Sequence, residues 1–296
     1  MPELPEVETI RRKLEPHLIG RRFDRVEIED ARLVRPFEPQ AVAAELEGER
    51  VSALERRGKY LVVRFESGRA LLIHLRMTGS LRHALRGALH DDRHRRAVVN
   101  LDDGSDVAYR DVRRFGTWLL LEPGELEPYL ARKVGVEPLE RRFNTRWLAQ
   151  RLQGRRAPVK AALLDQRTVA GLGNIYVDEA LWRARIHPLR PGESLEPDEI
   201  TRLTRGVKEA LKAGVRRQGA SLRDYATPDG GRGSMQDRFR VYGRTGEPCH
   251  RCGTPIEKIR AGGRGTWYCP NCQRLAGYAT SRSASRPSRS RRQSSV

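Results

Sequence analysis

The residues that could do chemistry sit at the two ends of the chain. Four cysteines, Cys249, Cys252, Cys269 and Cys272, form two CxxC pairs separated by sixteen residues, and each pair can bend a thiolate knuckle onto one side of a tetrahedral Zn²⁺. A pair of redox dithiols is the other chemistry open to them. Four thiolates leave zinc no open position for water, so one such ion would be structural, holding a small hairpin with Arg264 at its tip. At the other end the chain opens MPELPEVE. Release of Met1 would free the secondary amine of Pro2, whose reference pKa near ~8, against ~10.4 for a lysine, leaves far more of it unprotonated at neutral pH. Pro2 and Glu3 also suit a plain helix start, with proline in the first turn and the carboxylate complementing the helix dipole.

The elements that must hold these residues are partly readable. Leu4, Val7, Ile10, Leu14 and Leu18 recur at spacings of three and four, which predicts an N-terminal helix with one apolar face. From about residue 22 to 121 the runs YLVVRF, ALLIHL, AVVNL and FGTWLLL, with ESG and DDG turns, predict a β-rich region. Residues 144–218 favour helices. Within them LLDQRTVAGLGNIYVDEALW predicts a helix ending near Gln166, a tight path through Gly171 and Gly173, and a new helix opening at Asn174 with Tyr176, Ala180 and Leu181 inward. Helix amides with Lys160 and Arg156 nearby could hold a phosphate, though glycine turns also simply stop helices. The expected organisation is α+β: residues 1–135 a β-rich domain, 136–240 a helical domain, 241–274 a zinc ribbon and 275–296 a disordered basic tail with five arginines and no acid.

The whole-chain balance points the same way. The 57 Lys plus Arg against 38 Asp plus Glu leave a net charge of +19, which favours a polyanionic partner and makes nucleic acid the first expectation. No run of apolar residues is long enough to span a bilayer and no signal peptide is visible, so a cytoplasmic protein without membrane contact is expected.

Seven ordered blocks, MPELPEVE, RRGKYL, HLRMTGSL, RRFG, GLGNIYVDEAL, VYGRTGEPC and the terminal cysteine ribbon, together resemble the bacterial formamidopyrimidine-DNA glycosylases from Met1 to about Arg274. The resemblance implies a β-sandwich domain, a helix-two-turns-helix domain and a zinc hairpin, in a monomer that cleaves damaged duplex DNA between its domains. It implies that Pro2 attacks the sugar C1′ to expel an oxidised purine and form an iminium, and that Glu3 protonates the ring oxygen as the sugar opens. Elimination then nicks the strand, with Lys59 as phosphate contact and proton donor for the β step and Arg264 serving the δ step. A guanidinium hardly releases a proton, so Arg264 would act electrostatically. The resemblance places Met77, Arg113 and Phe115 in the gap left by the extruded nucleotide, with Arg113 on the orphaned cytosine. It places His94, Arg156, Lys160 and Asn174 on the DNA.

Departures from the family pattern are Val112 in place of a common proline, Arg156 in place of a lysine, and TPDGGRGSMQ, which lacks a usual Pro-Gly pair and carries Met235 where an aromatic is common. That glycine-rich segment is expected to be a mobile lid over the flipped base. It also leaves room for an endonuclease VIII-like enzyme for oxidised pyrimidines; a separate alternative is a catalytically silent DNA-binding protein that keeps the zinc and helix-turn elements.

Overall fold

The computed structural model describes residues 1–222 and 224–275. The expected basic tail lies outside the described residues from 276 onward.

Helix α1 (Leu4–Leu18) comes first, followed by strand β1 (Phe23–Ile28), helix α2 (Pro39–Leu46) and seven strands: β2 (Val51–Arg57), β3 (Tyr60–Phe65), β4 (Ala70–His74), β5 (Gly79–Leu85), β6 (Arg95–Leu101), β7 (Ser105–Asp111) and β8 (Thr117–Leu121). They pair antiparallel into two four-stranded sheets, β1-β6-β7-β5 and β2-β3-β4-β8. The apolar face read from the sequence packs between these sheets: Val7, Ile10, Leu14 and Leu18 join Leu61, Val63, Leu71, Val99 and Trp118 in one core. A second apolar layer, Val62, Leu72 and Leu121, is covered by Leu126 and Leu130 of α3 (Leu126–Lys133).

Helix α2 is an addition to the region read from sequence as β-rich. Pro39 starts it at a position where the missing N–H costs nothing, and Val42, Ala43 and Leu46 turn inward at helical spacing.

The helical part holds α4 (Thr145–Leu152), α5 (Val159–Leu164), α6 (Asn174–Ala184) and α7 (Pro197–Arg216). As expected, Tyr176, Ala180 and Leu181 face inward, packing with Leu163, Val207 and Leu211. Strands β9 (Glu257–Ala261) and β10 (Arg264–Tyr268) form the terminal hairpin. Its turn uses Gly262 and Gly263 at φ +57 and +74, a left-handed pair that side chains resist, and so delivers Arg264 at the tip.

Leu4 does not share the core of the other helix-face residues. It packs with Phe143, Leu172 and Ile175 in the helical core, while Val7 onward packs in the sandwich. Helix α1 therefore bridges both halves, and its N-terminus lies on the seam.

Candidate active site

Backbone hydrogen bonding fixes the chain's start. Leu4 N donates to Gly171 O at 3.0 Å, and the Glu3 carboxylate accepts from Gly173 N at 2.8 Å, Ile175 N at 2.9 Å and Tyr176 N at 3.4 Å. The amides at the start of α6, which could have held a phosphate, thus hold Glu3; this corrects the expected anion site. Gly173 permits the approach because a Cβ there would stand 2.5 Å from Glu3 Oε1.

Glu6 closes the other side. Its carboxylate accepts from Glu3 N at 2.9 Å, Tyr176 OH at 2.8 Å and Ala220 N at 2.8 Å, joining α1, α6 and the segment that leads into the glycine-rich loop.

Burial governs the electrostatics. It pushes the Glu3 carboxyl above its usual range, against the opposing pull of Lys59 and the Ile175 and Tyr176 amides. Burial lowers Lys59, with Glu3 opposing and Arg264 adding to the fall. Glu6 is raised to about 7 by burial and by Glu3. Burial thus makes Glu3 a weaker acid and the Lys59 ammonium a more acidic one, shifts in the direction that general acid-base work needs. Lys59 sits in the turn between β2 and β3, and this hairpin is held by Glu137, which accepts from Gly58 N and from Arg56 Nη1 at 2.8 Å.

Above this group lies a pocket of about 490 Å³ lined by Pro2, Glu6, Met77, Thr78, Arg113, Tyr225 and Trp267, among others. Of the residues singled out from sequence, Pro2, Met77 and Arg113 line it together. Phe115 is 52% exposed with the Arg113 guanidinium 4.7 Å from its ring centroid. His94 joins their loop through Asp111 N donating to His94 O at 2.9 Å. Arg156 stands apart, its side chain 94% exposed.

Lys160 is a correction. It is fully buried, paired with Asp178 at 2.7 Å and donating to Thr266 Oγ1 at 2.7 Å and Gly265 O at 3.3 Å. Three partners occupy its ammonium, so it reaches no phosphate. Asn174 Nδ2 likewise donates to Gly265 O, at 2.9 Å. Both residues lock β10, the strand that carries Arg264.

Met235 corrects the reading of the lid. It is fully buried in the helical core and not over the pocket. The start of the segment touches the N-terminal half, with Asp229 pairing with Lys13 of α1 at 2.6 Å and His83 N donating to Pro228 O at 3.0 Å, while Gly233 N donates to Ser221 Oγ at 3.0 Å and Ser234 N to Arg217 O at 2.9 Å. His83 belongs to β5 and stacks on His17 at 4.0 Å.

Glu6, Thr78 and Asp111 escaped the sequence reading. For Glu6 a signal existed, since a carboxylate three residues into a helix commonly caps it.

The four cysteine sulfurs lie within 4.8 Å of one another. Backbone N–H groups of Arg251 and Cys272 point at Cys249 and Cys269 sulfur at 3.5 and 3.4 Å, the knuckle arrangement of a thiolate metal site. The S–S separations of 3.4 and 3.5 Å are far beyond a disulfide's ~2.05 Å. The residues fit a structural zinc. Trp182 Nε1 donates to Cys249 sulfur at 3.4 Å, tying the ribbon to α6.

Family comparison agrees with this architecture. Residues 1–118 match the formamidopyrimidine-DNA glycosylase N-terminal domain, 134–226 the formamidopyrimidine-DNA glycosylase H2TH domain, and 246–275 the zinc finger found in FPG and IleRS. A formamidopyrimidine-DNA glycosylase of Symbiobacterium thermophilum is 47% identical over 292 residues, 98% of this chain and 95% of that protein. One of Geobacillus kaustophilus is 47% identical, over 93% of this chain and 100% of that protein. Among solved structures, a Lactococcus lactis FPG mutant in complex with Fapy-dG containing DNA superposes with a TM-score of 0.87 at 39% identity, covering 93% of this chain and 100% of that one. MutM in complex with carbocyclic 8-oxo-G containing DNA gives 0.86 at 38% identity, covering 93% and 100%. With three matching domains in order and near full-length relatives, this chain belongs to the formamidopyrimidine-DNA glycosylase family.

Proposed function

We propose that this chain is a bifunctional glycosylase and abasic-site lyase that excises oxidised purines from duplex DNA through a Schiff base on Pro2 and then nicks the strand by β,δ-elimination. The observation that carries it is the Glu3 carboxylate, buried on three backbone amides at the start of α6 and next in sequence to Pro2, which lines one pocket with Met77 and Arg113.

The chemistry follows from these groups. With Met1 released, the Pro2 nitrogen forms a bond to C1′ while the glycosidic bond breaks and the base leaves with its electron pair. Glu3 gives its proton to the ring oxygen as the sugar opens, leaving an iminium. The iminium acidifies the adjacent C2′ proton, whose loss expels the 3′ phosphate; a second elimination expels the 5′ phosphate. Lys59 contacts phosphate and serves as the β-step proton donor, while Arg264 stabilises phosphate charge. Met77 and Phe115 fill the emptied stack, Arg113 reads the orphaned base, and His94, Arg156 and Asn174 face the backbone. One zinc on the four cysteines holds the hairpin. The chain acts on DNA as a cytoplasmic monomer.

A neighbouring structure, wild-type Lactococcus lactis FPG bound to an oxidized pyrimidine containing DNA, keeps oxidised pyrimidines as a second substrate reading. Borohydride trapping tests both, on duplexes carrying 8-oxoguanine opposite cytosine, thymine glycol, or no lesion. The expected result is a covalent band on 8-oxoguanine that is lost in Pro2→Gly. A preference for thymine glycol would move the reading to pyrimidines, and no band on any duplex, from protein shown to lack Met1, would leave a silent binder.

A further inference from the structure

We infer that Thr78 and Asp111 form a clamp that sets the spacing between Met77 and Arg113, and that this clamp determines how strongly the enzyme discriminates the base opposite the lesion. The inference rests on the reading of Arg113 as the residue that meets the orphaned base.

The two residues that enter the gap come from different turns. Met77 sits between β4 and β5, and Arg113 follows β7; both turns contain a residue of positive φ, Arg76 at 51° and Arg114 at 60°. The β5–β7 ladder brings the two turns side by side, with Gly79 opposite Asp111 at its end. Beyond that last register, the side-chain bonds that tie Thr78 to Arg113 come from one hydroxyl and one carboxylate. Thr78 Oγ1 donates to Asp111 Oδ1 and accepts from Arg113 N at 3.0 Å. Asp111 Oδ1 also accepts from Arg113 N at 3.2 Å, and Oδ2 from Gly116 N at 2.8 Å. Asp111 is 1% exposed and Thr78 7%, so water cannot replace these bonds.

The floor beneath the clamp is equally closed. A Cβ at Gly79 would stand 2.5 Å from the Tyr109 hydroxyl, and one at Gly116 nearer still. Both turns are thereby pressed onto one rigid base, and Thr78 itself reaches the pocket wall between Met77 and Arg113.

The clamp is separate from the proton chemistry. Glu3 is held by α6 amides and the Lys59 hairpin by Glu137, with no bond to Thr78 or Asp111 among those described. Loosening it should therefore alter which base pair is accepted before it alters bond breaking. Thr78 and Asp111 act here as positioning residues.

The test is single-turnover excision of 8-oxoguanine opposite cytosine and opposite adenine, scored as the ratio of the two rates in wild type, Arg113→Ala, Thr78→Val and Thr78→Ser. A ratio within one preparation does not depend on the folded fraction. Thr78→Val keeps the shape and removes the hydroxyl, and the expected result is a ratio shifted toward unity by roughly five- to tenfold, the equivalent of one or two buried hydrogen bonds. Thr78→Ser restores the hydroxyl and should stay within about twofold of wild type. An unchanged ratio in Thr78→Val, with Arg113→Ala altered, overturns the clamp alone. An unchanged ratio in Arg113→Ala overturns the reading of Arg113, and the inference with it.

Discussion

Replacing Gly173 by alanine puts a methyl group where the Glu3 carboxylate now lies. The new Cβ would stand 2.5 Å from Glu3 Oε1 and 2.7 Å from its Cγ, against a comfortable separation of ~3.5 Å, so the side chain must retreat by about 1 Å. The backbone itself accepts alanine, since Gly173 has φ −133 and ψ −163, an extended conformation open to any residue. The perturbation is therefore confined to the carboxylate and its three amide donors. Losing those charge-assisted bonds and overpacking the seam should cost about 2 to 3 kcal/mol, lowering Tm by roughly 5 to 10 °C. A shift of ~1 Å in a catalytic acid costs on the order of 100-fold in rate. Single-turnover excision of 8-oxoguanine should fall by that factor, whereas nicking of a preformed abasic site, which skips base departure, should fall less. Excision within about threefold of wild type would refute the placement of Glu3 as the acid.

Three other outcomes follow from the same contacts. Lys160→Met leaves Asp178 buried without its cation and should cost about 3 to 5 kcal/mol in urea unfolding, while Lys160→Met with Asp178→Leu should recover much of it; a loss below about 1 kcal/mol in the single variant would contradict a buried ion pair. Glu6 is raised from its ordinary value of 4.5 to about 7, so its contribution to stability is complete below the lower value and lost as pH rises through the upper. Glu6→Gln cannot ionise, so the stability difference between wild type and variant should swing by up to ~3 kcal/mol across that window, and parallel curves would contradict the shift. Stripping zinc with a chelator should unfold the ribbon, whose small apolar cluster of Val241, Cys249, Ile256 and Cys269 packs on Trp182 of α6, changing tryptophan fluorescence and abolishing nicking until Zn²⁺ is restored; unchanged fluorescence and activity after verified metal loss would count against a structural metal.

What the sequence disclosed was local. The spacing of Leu4 to Leu18, the two CxxC pairs and the glycines before Asn174 each encode their geometry within one element, and the structure has each in place. What it concealed was long-range. Glu6 meets Ala220 across 214 residues and Asp111 meets Thr78 across 33, and no short pattern marks either partner. Lys160 was read as a phosphate contact for the same reason: a lysine near a helix start looks available to an anion until Asp178, on the next helix, is found against it. Helix α2 was missed because its few apolar residues sit between strand-forming runs.

Most direct for the central claim is to locate the covalent bond. The borohydride-reduced complex with 8-oxoguanine DNA is digested with trypsin and nuclease, and the sugar remnant is placed by mass spectrometry. It should lie on the N-terminal nitrogen of the peptide PELPEVETIR, at Pro2. A remnant on Lys59 instead, or a trapped complex that survives intact in Pro2→Gly, would contradict it.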